Sequence, residues 1–223
     1  MHDTVTQLSY RSLPSLEEAK QVAQVSLSHI RELGDVICKH GLYETFGVCL
    51  LHRHFNVDNF ERLVHQHEQH LNQVFVTPSR TSSNSTAGCI WGITPETTDQ
   101  AWIDLEYFDV DQFPSVFATA SDLLREQDEF LSEISSVLRG SGLDWYFGLG
   151  IFHRDVVQLS EGSVLAEFSD DEARTLTVRA ATPAEIDPLH NTTTMWRFQP
   201  GADPLVASLC CHQHGPTCSG DKH

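Results

Sequence analysis

Two ten-residue stretches, FGVCLLHRHF (46–55) and FGLGIFHRDV (147–156), align without a gap. Phe, Gly, His and Arg are identical at four positions, and three further pairs are conservative. Each stretch follows a helix-like segment ending in glycine. Each leads, through a turn candidate (DN or SEG), to another strand-like run, FERLVHQ or SVLAEF. A helix–strand–turn–strand unit that occurs twice points to an internal duplication with pseudo-two-fold symmetry. It confines the chain to folds built from two related halves.

The segments around the repeat set the expected elements. SLEEAKQVAQVSLSHIRELG reads as one helix: Ser15 and Glu18 have capping-box spacing, and Gly34 is a suitable stop. SDLLREQDEFLSEISSVLRGSG reads as a second, ended by Gly140. GCIWGITPETTDQAWIDLEYF and SVLAEFSDDEARTLTVRAA each read as two strands around a polar turn, and TMWRF as one more. The expected fold is α+β: a curved antiparallel β-sheet with two main α-helices. Residues 1–200 form a single domain from two halves (about 14–110 and 119–200), and QPGADP leads into a Cys/His-rich tail over 201–223.

Strand alternation gives the repeat its chemistry. Phe46, Val48, Leu50, His52 and His54 fall on one face, as do Phe147, Leu149, Ile151, His153 and Asp155. If the two strands meet across a dyad, His52, His54, His153 and Asp155 converge at one end of an apolar pocket. Phe46, Val48, Leu149 and Ile151 would line its deep end. Three imidazoles and a carboxylate suit Zn(II), Fe(II), Mn(II) or Cu(II). The competing reading is that polar residues at strand ends simply leave the core. Arg53 and Arg154 fall on the opposite face and suit ion pairs.

Other histidines and cysteines extend the candidate set. In VHQHEQHLN, His65 and His67 share a face if the segment is a strand and can add a ligand; the segment is not an H-E-x-x-H zincin motif. CCHQHGPTCSGDKH carries Cys210, Cys211, His212, His214 and Cys218, and Cys211-x-x-His214-x-x-x-Cys218 has compact, knuckle-like spacing for zinc. That tail can instead be disordered, form a redox-active thiol or disulfide, or fold over the strand-borne site.

The order Gly47, His52, His54, Glu61 resembles the metal motif of the cupins over about fifteen residues. The Gly-to-His gap is one residue short, the His-to-Glu gap is too long, and the second cupin motif with its Pro-x-Gly is missing. The resemblance implies a β-scaffold metal site and nothing finer.

Composition narrows the classes of function. The chain has 223 residues and 40% hydrophobic content, enough for a sizeable core without disulfides. Its formal charge of −17 repels phosphate backbones and anionic leaflets, so neither nucleic acid nor membrane is an expected partner. No secretory signal is visible, and six cysteines then suggest reduced thiols in a cytoplasmic protein. There is no P-loop, dinucleotide fingerprint or G-x-S-x-G elbow. Asp104 and Glu106 share a strand face, but in so acidic a chain they are expected in solvent.

Three functions follow. One is a metal-dependent enzyme, an oxidoreductase or lyase, using iron, zinc or copper on a small organic molecule. Another is a non-catalytic protein holding a small ligand or haem in an apolar cavity. The third is an interaction protein with a structural zinc in the tail. The expected partner is a small-molecule substrate or ligand, with a homodimer left open.

Overall fold

The structure, a computed structural model, describes residues 9–80, 85–94, 102–153, 156–187 and 190–211. Strands β1 (Phe46–Leu50), β2 (Arg62–Glu68), β3 (Gln73–Ser79), β4 (Thr86–Ile93) and β5 (Trp102–Asp109) follow helices α1 (Leu16–Val25) and α2 (Leu27–Lys39). Helices α3 (Ser115–Arg125) and α4 (Asp128–Ser141) then precede β6 (Phe147–Ile151), β7 (Val164–Asp170), β8 (Thr175–Ala181), β9 (Asn191–Arg197) and β10 (Leu205–Cys211).

The ten strands close into one barrel in the order β1-β6-β4-β5-β2-β3-β8-β7-β10-β9. This corrects the expected curved antiparallel sheet. β1 is paired on both sides, with β6 and with β9, so no open edge remains. The barrel is also mixed, because β2 runs parallel to β5 and β7 parallel to β10. The two expected helices are four. Ser26 breaks the first: its hydroxyl donates back to the Val22 carbonyl and its N–H to that of Ala23. The second breaks where Glu126 and Gln127 donate to the carbonyls of Leu123 and Leu124. The Ser15–Glu18 capping box is present, whereas Gly34 lies inside α2.

Advancing every strand number by five leaves the strand order unchanged. β1 pairs antiparallel with its own counterpart β6, centred on Val48 opposite Leu149. Across the barrel, β3 pairs likewise with β8, and Phe75 lies opposite Thr177. The repeated Phe-Gly dipeptide has a packing reason. Phe46 meets Trp91 edge-on at 6.1 Å, and Phe147 meets Trp196 at 5.9 Å. A Cβ on Gly47 would lie 2.5 Å from the Trp196 carbonyl oxygen, and one on Gly148 2.1 Å from that of Trp91. Only glycine lets these backbones approach so closely.

Phe46 also stacks on Phe130 of α4, so its face of β1 turns toward the helices rather than a pocket. Cys49, on the alternate face, looks into the barrel. The interior cavity measures about 50 Å³ and is walled by Cys49, Ile90, Leu176, Val178 and Met195. Phe46, Val48, Leu149 and Ile151 do not line it, contrary to expectation. Among the described residues no helix is long and apolar enough to cross a membrane.

Candidate metal centre

β1 ends at Leu50, and the chain beyond it no longer alternates faces. It is tied down instead by the segment preceding α1. The Arg53 N–H donates to the Pro14 carbonyl at 2.9 Å, and the His54 N–H to the Tyr10 hydroxyl oxygen at 2.7 Å. This strap turns His52 and His54 toward the barrel, with ring centroids 4.4 Å apart.

His52 is 5% exposed. Its Nδ1 lies 2.8 Å from the Leu50 carbonyl oxygen. A carbonyl only accepts, so Nδ1 carries the proton and Nε2 presents a lone pair. That Nε2 is buried with no hydrogen-bond partner. Metal-ligating histidines are commonly oriented through such a contact from the other ring nitrogen. His54 places Nδ1 3.0 Å from the Ser169 hydroxyl and Nε2 4.0 Å from Glu167 Oε2.

Glu167 on β7 is held through Oε1. Thr194 donates to Oε1 at 3.0 Å and Ser208 at 2.5 Å. Cys210 on β10 pairs in register with Glu167 and brings its Sγ within 4.0 Å of His54 Nδ1. Burial pushes the Cys210 thiol well above its ordinary pKa, and the Glu167 charge adds to this.

Ligand atoms of His52, His54, Glu167 and Cys210 all lie within 4.8 Å of one another. A tetrahedral zinc shell needs donors roughly 3.3–3.8 Å apart, given bond lengths of about 2.0–2.3 Å. The donor atoms here are separated by no more than about 1 Å beyond that. The cluster can hold a metal ion.

No protein-family model, curated protein or solved structure matches this chain. The chemistry of the site therefore rests on its own residues.

A second polar chain lines the same cavity. His65 Nε2 lies 2.7 Å from Glu106 Oε2, and His65 Nδ1 lies 2.8 Å from His153 Nε2. With Glu106 ionised, the proton pattern follows: His65 Nε2–H donates to the carboxylate, and His153 Nε2–H donates to His65 Nδ1. Burial drives the His153 pKa well below its ordinary value, and the nearby charges of His65 and His67 act in the same direction. Glu106 is 8% exposed, so its expected place in solvent is corrected: the carboxylate is drawn inside by His65.

The candidate ligands therefore distribute over two polar groups lining one cavity. His52 and His54 meet Glu167 and Cys210, while His153 meets His65. His67 is on β2 two residues from His65, packs on Phe113 at 6.0 Å, and has a buried Nε2 with no hydrogen-bond partner. Cys210 and Cys211 lie in the last barrel strand; Cys211 takes the opposite face, in a small apolar cluster with Ala166, Ala181 and Ile186. Asp155, His212, His214 and Cys218 lie outside the described residues.

Sequence reasoning missed Glu167. A signal for it existed in the repeat: RLVHQHE (β2) and VLAEFSD (β7) occupy equivalent strands, and their alignment sets His65 opposite Glu167. The same comparison sets Glu106 opposite Ser208, so the His65–Glu106 bond in one half corresponds to Glu167–Ser208 in the other.

Proposed function

We propose that the protein is a metal-dependent enzyme acting on a small organic molecule, with the ion held by His52, His54, Glu167 and Cys210. The observation that carries this reading is the His52 Nε2 lone pair, buried, unpartnered and fixed in direction by the Leu50 carbonyl. Among the metals expected, the mixed N, O and S donor set favours zinc, which accepts all three types. Zinc, when bound, supplies Lewis acidity to a reacting oxygen.

The chain's own residues supply the rest. Thr194 and Ser208 hold Glu167 Oε1 and leave Oε2 toward His54. The His153–His65–Glu106 chain fixes the orientation of both imidazoles at the cavity wall. Leu176, Val178 and Met195 exclude bulk water. A cavity of about 50 Å³ admits a small reacting group rather than a whole cofactor; pockets for drug-sized ligands span roughly 300–1,000 Å³. This argues against the haem alternative.

One observation favours a second reading, a purely structural zinc: four protein donors fill a tetrahedral shell without leaving a position for water. Metal analysis of the purified protein, repeated on His52→Ala and Cys210→Ala, tests both readings. Near-stoichiometric metal that falls in both variants supports the site; its absence after reconstitution with zinc, iron and copper salts rejects it. Loss of folding on chelation, with no reaction found for the intact protein, favours the structural role.

A further inference from the structure

His54 lines the interior cavity and also an open depression on the outer surface. That depression, of about 400 Å³, is bordered by Arg53 and Arg174. A second one, of about 690 Å³, shares Arg53 and adds Arg11, Phe60 and Arg80. The chain has 14 basic residues against 31 acidic ones, yet four arginines gather here.

Two of these four arginines pair with a carboxylate. Arg80 pairs with Asp58 at 3.0 Å and reaches Glu61, which Arg174 also engages. Arg53 and Arg11 form no ion pair among the described residues. The Arg53 Nε is buried and has no hydrogen-bond partner. The carboxylates around Arg53 have other partners or stand apart: Glu18, which feels the Arg53 charge, is bound by the Ser15 N–H and hydroxyl, Asp58 pairs with Arg80, and Asp171 stands on the rim without an ion pair to Arg53. Beside these charges Phe60 leaves its ring 87% exposed.

We infer that this groove binds the carboxylate of a small organic acid, with Arg53 and Arg11 gripping the anion and Phe60 covering its apolar body. Arg53 precedes His54 in the chain, so an acid held by its guanidinium lies at the outer side of the metal cluster. A planar guanidinium binds a carboxylate through two parallel N–H···O bonds, which an ammonium cannot reproduce. That the bound acid is also the substrate rests on the metal-enzyme reading; the binding itself does not.

Calorimetric titration with benzoate tests the inference, with benzamide as the neutral isostere and inorganic phosphate as a bare anion. Benzoate is expected to bind, and benzamide and phosphate to bind at least about tenfold more weakly. Arg53→Ala is expected to weaken benzoate about tenfold or more, and Arg11→Ala, at an exposed position, about threefold. No benzoate binding, equal binding of benzamide, phosphate binding as tight as benzoate, or full affinity in both variants would overturn it. If Arg53→Ala does not fold, Arg11→Ala and the benzamide comparison decide. Running the titrations on metal-loaded and chelator-treated protein separates the two readings. Arginine-dependent binding in a protein that never takes up metal leaves the groove standing alone, and metal uptake without benzoate binding leaves only the metal site.

Discussion

His65 and His153, 88 positions apart in the chain, share a 2.8 Å N···N hydrogen bond inside the barrel, with rings within 4° of parallel. The bond ties a strand of the first half to the turn that follows the opening strand of the second. Because His153 is buried, its protonation is coupled to folding.

The pH dependence of stability follows from His153. Its folded pKa is lowered, so near neutrality and below, the unfolded chain binds a proton that the folded one does not. Stability is therefore fully present above an unfolded pKa of about 6.5 and is lost as pH falls below it, by at most about 1.4 kcal/mol per pH unit. Urea denaturation between pH 5 and 8 should show this slope, and His153→Phe should flatten it. An unchanged slope in the variant would assign the titration elsewhere.

Glu106 terminates the same chain. Glu106→Ala leaves the buried His65 Nε2–H without its acceptor and should cost about 1–3 kcal/mol. A double-mutant cycle with His65→Ala should give a coupling above about 0.5 kcal/mol. Strict additivity would show that the contact contributes nothing.

Metal affinity should depend on a residue that is not itself a ligand. Ser208→Ala removes the 2.5 Å hydrogen bond that positions Glu167. About a 10–100-fold loss of zinc affinity is expected, without loss of stoichiometry at saturating metal. Competition with a chromophoric chelator measures it. A structurally silent serine would leave the constant untouched.

The glycines of the repeated Phe-Gly pair should resist substitution. In Gly148→Ala the new methyl would meet the Trp91 carbonyl oxygen at 2.1 Å, and in Gly47→Ala that of Trp196 at 2.5 Å. Backbone cannot move aside as a flexible side chain can, so each change should destabilise by about 1–3 kcal/mol or more. Gly140→Ala, with open space around its Cβ, serves as the control and should be neutral or slightly stabilising. Equal midpoints for all three variants would contradict the packing account.

Much of the local structure was legible. The Ser15–Glu18 capping box, the two strands in SVLAEFSDDEARTLTVRAA and the strand character of both repeat copies follow from spacing alone, because caps and alternation act over a few residues. His52 and His54 stood out as imidazoles beside an apolar run. Their partners did not. Alternation was extended through Leu50 to His54, but the strand stops at Leu50 and the strap from Tyr10 to Ser15 sets the direction of both rings. Glu106 and Glu167 looked like two more acids in an acidic chain. Their burial shows only when His65 and Ser208 are seen beside them.

The sequence by itself determined the strand character of several segments, which residues cap the first helix, and that two stretches share one pattern. Those properties depend on neighbours within a few positions. Tertiary structure alone decided that the sheet closes, that two of its pairings are parallel, and that His52 and His54 face Glu167 and Cys210. Each of these depends on contacts between segments some 40 to 160 residues apart. Local periodicity says which face a side chain takes, but the pairing of distant strands decides what that face meets.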